Sequence, residues 1–207
     1  MTGNQLVHAQ EIAASDLQHG DLIFVGAEEA NLSGAINRVT QRDKEASFDH
    51  VGIVERTADS LFVLHASSKK GSIREYLPDF YNSQKLSENT LIVYRLKQDY
   101  QSSIINAIDI AKSMLGKPYN WTYILNDTSY YCSDFVERAF RKDRIFILEP
   151  MTFVNPTTGM VDEFWVSFYK KQNLAVPQGE LGCNPNGLAH SEKLIRKGQL
   201  ISVINDR

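Results

Sequence analysis

The sequence predicts an α+β fold, with an antiparallel sheet packed against helices. Three observations predict it. Apolar runs bounded by turn residues crowd the first half of the chain. After residue 100 the apolar spacing changes to that of amphipathic helices. Strands gathered in one half and helices in the other describe α+β rather than an alternating parallel fold. Of 207 residues, 43% are hydrophobic and 23% charged, ordinary globular usage that excludes a disordered or collagen-like chain. The length fits one domain, and a single domain over residues 1–207 is expected.

Taken in order, residues 1–18 read as a short leader, partly helical. Gly20-Asp21 is a turn that feeds an apolar strand over 22–25. Residues 26–47 are polar and small, with a short helix around 33–39. Residues 50–55 and 61–66 read as two strands joined by the turn Thr57-Ala58-Asp59-Ser60, and residues 71–76 and 91–96 as two more. Ile104, Ile108, Ala111 and Leu115 then share a helical face over 102–115, which Gly116 ends and Pro118 keeps from resuming. A second helix over 132–142 places Phe135, Val136, Ala139 and Phe140 on one side. A third runs through Val161, Phe164, Trp165 and Phe168. The last 30 residues read as loop-rich, ending in a short amphipathic piece.

Lys and Arg number 22 against 25 Asp and Glu, a formal charge of −3. The basic doublets, such as Lys69-Lys70 and Lys170-Lys171, are too short to follow a phosphate backbone, so nucleic acid is not an expected partner. No apolar run is long enough for a transmembrane helix. Residues 1–14 lack the basic start and apolar run of a signal peptide. The compartment stays open between the cytoplasm and the destination of a chain that has lost its signal. Cys132 and Cys183 are too few for a disulfide framework. Their settings differ, an amphipathic helix start against a Gly-Cys-Asn-Pro turn, which points to different jobs.

Chemistry gathers on Cys132, His50 and His65. A cysteine at a helix start meets unpaired backbone N–H groups and the positive end of the helix dipole, which favour a nucleophilic thiolate. The four-residue turn at 57–60 pairs Arg56 with Leu61, which sets Gly52 opposite His65. His50 and His65 then lie diagonally on one sheet face, roughly 7–8 Å apart by backbone. A thiolate, an imidazole that shuttles protons and a polar group that orients it are what covalent acyl transfer needs. Asp49, next to His50 in sequence, points to the other face and is a poor orienter. A buried structural cysteine and two unrelated histidines remain the plain alternative at this stage.

Five segments in one order carry a family resemblance: Leu17…Gly20-Asp21-Leu22-Ile23-Phe24; Asp49-His50-Val51-Gly52-Ile53-Val54; Val63-Leu64-His65-Ala66; Gly116-Lys117-Pro118-Tyr119-Asn120-Trp121; and Tyr130-Tyr131-Cys132-Ser133-Asp134-Phe135-Val136. The chain resembles the NlpC-type papain-like cysteine peptidase superfamily. Its motifs run in reverse order, as in the circularly permuted YiiX/YaeF-like amidase branch, an order that lecithin:retinol acyltransferase-like proteins share. The motif core covers about 17–142, with 143–207 as a C-terminal extension of the same domain.

The resemblance implies a permuted papain-like fold with Cys132 as nucleophile, His50 as general base and acid, His65 as third polar residue and Tyr119 in a substrate-binding or oxyanion role. The Cys132 backbone N–H is implied as an oxyanion donor, and Asp21 as structural. It implies a cysteine hydrolase that needs no metal or organic cofactor. The implied substrate is a small peptide or an amino-acid-containing amide, peptidoglycan-derived peptides among them. A lipid acyltransferase or thioesterase with the same triad, and a non-catalytic binding module, stay open as alternatives. Metal binding by His50, His65 and Cys132 lacks a clear fourth ligand. The Asp134 that follows Ser133 departs from the Gly or Glu often found there.

Overall fold

A computed structural model describes residues 10–26, 32–40, 47–87 and 89–203. Residues 1–9 of the expected leader, and 27–31 and 41–46 of the polar stretch, lie outside the described residues. The elements run β1 (Glu11–Ala13), β2 (Leu22–Gly26), α1 (Leu32–Thr40), β3 (Phe48–Arg56), β4 (Leu61–Ser67), β5 (Gly71–Tyr76), α2 (Leu77–Lys85), β6 (Leu91–Leu96), α3 (Ile104–Ser113), α4 (Cys132–Phe140), β7 (Glu149–Pro150), α5 (Glu163–Lys171), β8 (Leu181–Gly182), α6 (Pro185–Ala189) and β9 (Leu194–Ser202). Seven strands form one sheet in the order β1-β9-β6-β2-β3-β4-β5, with β7 and β8 as a separate pair. Of these strand pairs only β1 with β9 is parallel. The fold is therefore α+β, a largely antiparallel sheet packed against helices. Among the described residues no helix is long and apolar enough to cross a membrane.

The central strands are buried on both faces, which is why β2 and β3 read as near-continuous apolar runs. One face carries Leu22, Phe24, Val51, Ile53 and Leu64 against Ala107, Ile108 and Ala111 of α3 and Phe135, Val136, Ala139 and Phe140 of α4. The other carries Ile23, Val25, Val54 and Val63 against Leu77 and Phe80 of α2 and Ile12, Ala14 and Leu17. A third, aromatic cluster of Tyr123, Tyr131, Phe153, Trp165 and Tyr169 packs around α5. Buried Asp21 accepts two bonds from Arg95, at 2.7 and 2.8 Å, and one from the Gln18 N–H, so it ties the turn before β2 to β6.

The β3–β4 hairpin has the register that its short turn demands, with Arg56 opposite Leu61 and Ile53 opposite Leu64. Besides the short pair β7 and β8 and the five-residue α6, which fall in stretches read as loop, three elements depart from the sequence reading. Part of the leader is strand β1. The loop-rich tail ends in β9, a nine-residue strand between β1 and β6. Its apolar alternation is masked by Arg196-Lys197 and by a register shift opposite Val93 and Tyr94. Gly198 is required there: a Cβ would stand 1.9 Å from the Gln10 carbonyl oxygen, at a φ of +145°. Helix α2 was not anticipated. Pro78 in its first turn favours helix, but it buries only Leu77 and Phe80, too few positions to show a period.

Candidate active site

Cys132 is the first residue of α4. Tyr131 caps the helix in extended conformation (φ −94°, ψ 168°) without a side-chain bond, so first-turn N–H groups stay free to face the sulfur. The thiol is 4% exposed and points at the Asp49 carbonyl oxygen, 3.7 Å away. Burial pushes it up to about 12, and the Asp49 carboxylate pushes the same way. The backbone N–H groups of Ser133 and Val51 pull it down. The rise from 9.0 corresponds to about 4 kcal/mol, whereas a helix end contributes roughly 0.3–2 kcal/mol. Burial wins, and the resting group is a thiol rather than the thiolate that the helix start alone implies.

His50 and His65 meet. Nε2 of His50 lies 2.8 Å from Nδ1 of His65, with the rings edge to face at a centroid distance of 4.9 Å. Two features allow this approach. Gly52, between them on the same face, has no Cβ, and one would come within 2.5 Å of Val63 Cγ1 and 3.1 Å of His65 Cβ. Phe80 of α2 covers both rings, at 6.2 and 5.1 Å. Burial, then the neighbouring His65 imidazole, push His50 down to about 3 against an opposing pull from Glu75. His65 is itself buried, and its Nε2 lies 3.2 Å from Glu75 Oε2. Lys70 Nζ donates to the other Glu75 oxygen at 2.7 Å.

The sulfur and the rings reach the same end of β3 from different sides. His50 pairs with Val25 and lies on the face of Val54 and Phe80, whereas Cys132 packs with Val51. At that end a bulge shifts the β2–β3 register, between Val25 and Gly26, and the sulfur meets the Asp49 carbonyl and the Val51 N–H on either side of His50. A cavity of about 810 Å³ opens on the sulfur's side. Its lining includes Cys132, Tyr119, Tyr123, Asp49, Phe153 and Trp165, and neither histidine.

Tyr119 is held by Tyr130, with Asn120 N–H bonded to the Tyr130 carbonyl and Tyr130 N–H to that of Pro118. Burial keeps its hydroxyl protonated, and the Cys132 backbone N–H acts on it from nearby. The Tyr119 hydroxyl and the Cys132 N–H thus converge on one place. Beside them the Tyr123 hydroxyl is buried without a regular hydrogen bond, close enough to Tyr119 for the two hydroxyls to perturb each other. Tyr123 also has φ +56°, a strained value for an aromatic residue. Cys183 lines the same cavity, its N–H bonded to the Tyr131 hydroxyl at 3.2 Å. Asp134 points away from the cavity chemistry into a bond with Arg138 at 2.7 Å. One carboxylate oxygen is left bare, and burial pushes the group up to about 6.

Sequence reasoning did not single out Glu75, Tyr123 or Phe80. Glu75 was within reach of the pairing argument, because continuing the register through β5 puts it on the His65 face, diagonal to that ring. Tyr123 and Phe80 had no such signal.

A family model described as permuted papain-like amidase enzyme, YaeF/YiiX, C92 family, matches residues 16–196. Among solved structures, the crystal structure of metalloprotein yiiX from Escherichia coli O157:H7 is similar, with a TM-score of 0.67 over 86% of this chain and 95% of that one. The two are 21% identical, so the likeness shows the fold, a permuted papain-like one. No curated protein matches the chain.

Proposed function

Because the chain belongs to the permuted papain-like amidase family, and is on that ground a cysteine-dependent hydrolase, we propose that it cleaves the amide bond of a peptide or amino-acid-containing amide through Cys132, His50 and His65. Peptidoglycan-derived peptides are the first substrates to try. The observation that carries this reading is the placement of the Cys132 thiol against the carbonyl of Asp49, the residue before a histidine already bonded to a second histidine.

In this reading both resting partners are neutral, so the proton moves during attack. His50 takes the thiol proton as sulfur bonds to the substrate carbonyl carbon. The oxyanion forms against the Cys132 N–H and the Tyr119 hydroxyl, where one donor is worth roughly 3–4 kcal/mol of barrier. The His50 imidazolium then protonates the leaving amine, the C–N bond breaks and a thioester remains. Water, deprotonated by His50, opens the thioester and returns the thiol. Tyr123, with its free buried hydroxyl, supplies a further donor for a substrate oxygen in the cavity.

The solved relative is described as a metalloprotein. Among the described residues of this chain, no three His, Cys, Asp or Glu side chains gather as metal ligands. His50 and His65 also spend their facing nitrogens on each other. The donor set does not fit a metal, and no step is routed through one.

Purified protein incubated with cell-wall tripeptides and with phospholipids, both followed by mass spectrometry, tests the substrate. Loss of amide cleavage in Cys132→Ala is expected; unchanged turnover would overturn the assignment. The aromatic lining of the cavity favours a second reading, transfer or hydrolysis of an apolar acyl group, which the phospholipid arm detects. Failure of both arms would favour a binding module.

A further inference from the structure

We propose that Glu75 is a positioning residue that sets the tautomers of both imidazoles, so that the free basic nitrogen of His50 is Nδ1. The inference deepens the amidase reading above and rests on it for its catalytic meaning.

The argument runs along one chain of contacts. Glu75 Oε1 accepts from Lys70 Nζ at 2.7 Å, and Oε2 lies 3.2 Å from His65 Nε2. An ionised carboxylate only accepts hydrogen bonds. His65 Nε2 must therefore carry a hydrogen, and a ring that holds only that one accepts at Nδ1. That nitrogen lies 2.8 Å from His50 Nε2, so His50 carries its hydrogen on Nε2 and donates it. The remaining lone pair of His50 is on Nδ1. The opposite tautomers would aim a His65 lone pair at a carboxylate oxygen. His65 is only 3% exposed, so water gives little relief from that clash.

The groups that act on this chain come from each neighbouring element. His50 stands on β3 and His65 on β4, Lys70 in the turn before β5, and Asp79 of α2 acts on Lys70. His65 and Lys70 together hold the Glu75 carboxyl down to about 2, so it is ionised throughout the working range. During turnover Nδ1 of His50 receives the thiol proton and its Nε2–H stays in place. The positive ring is then stabilised through His65 by the Glu75 charge, and no proton passes to Glu75.

The test has two parts. In protein labelled with nitrogen-15 at histidine, the ring shifts of His50 and His65 at neutral pH should show hydrogen on Nε2 in both. Glu75→Gln should remove that uniformity, because a carboxamide can also donate. In kinetics, Glu75→Gln should lower kcat by roughly 10–100-fold with little change in KM. It should also move the acid limb of the kcat/KM profile to lower pH, since the imidazolium loses its counter-charge; Glu75→Asp should recover part of both. Hydrogen on Nδ1 of either ring in the wild type would overturn the proposal even if the variant failed to fold. So would a Glu75→Gln enzyme with unaltered kcat and pH profile. The spectra are read without substrate, so loss of the amidase reading and loss of this one are separately visible.

Discussion

Gly52→Ala probes fold and site with one methyl group. Gly52 lies on β3 between His50 and Val54, in the heart of the sheet. An added Cβ would lie 2.5 Å from Val63 Cγ1 and 3.1 Å from His65 Cβ. Ordinary carbon contacts lie near 3.5–4.0 Å, so the first overlap is about 1 Å and the second a few tenths. Val63 is fully buried and cannot swing aside, so β4 must move away from β3. Overpacking of this kind costs about 1–3 kcal/mol, or a fall in Tm of roughly 2–12 °C at this chain length. The same displacement carries His65 with it and stretches the 2.8 Å bond to His50. Misplacement on the scale of 1 Å costs up to about 100-fold in rate. Urea unfolding with unchanged slope gives the stability loss, and kcat/KM on a cleaved amide gives the second effect. A variant with wild-type midpoint and wild-type turnover would refute the claim that β3 and β4 are in contact at Gly52 to bring the histidines together.

Three further outcomes are expected. The Cys132 thiol, pushed up to about 12, should be alkylated by iodoacetamide about 1,000-fold more slowly at pH 7 than a thiol of pKa 9.0, on ionisation alone. The rate should climb with pH to at least 10, and a plateau below pH 7, read by peptide mapping, would instead reveal a preformed ion pair. The Glu75 carboxyl is held below its unfolded value, so its contribution to stability is present above about pH 4.5 and is lost as pH falls toward about 2. That contribution is at most about 3 kcal/mol before solvent screening, and unfolding titrations of Glu75→Gln should lack that acid slope. Phe80→Ala, which opens a buried site on α2, should cost about 3–5 kcal/mol. By admitting water to the histidine pair, it should also raise the His50 pKa and with it the acid limb of activity.

Much of the site was legible because short-range rules governed it. The four residues from Thr57 to Ser60 set the hairpin register, and strand alternation then placed His50 and His65 on one face. Gly116 and the polar start at Cys132 marked the end of α3 and the beginning of α4. Strand β9 escaped because its partners, β1 and β6, are remote in sequence and its own pattern carries two adjacent charges. Helix α2 escaped because one aromatic ring, Phe80, does most of its packing.

The order of motifs along the chain, the place of Cys132 at a helix start, the shared sheet face of His50 and His65 and the α+β class were all written in one dimension, since each depends on neighbours within a few positions or on residue type alone. The protonation of those residues was not. A sulfur at a helix start inclines toward thiolate, yet α4 packs on β3 so closely that desolvation outweighs the dipole. The tautomers hang on a carboxylate that only sheet pairing brings to His65, and the aromatic cavity is assembled from segments more than a hundred positions apart. Charge and proton placement follow the local dielectric and the through-space partner, and both exist only once the chain has closed on itself.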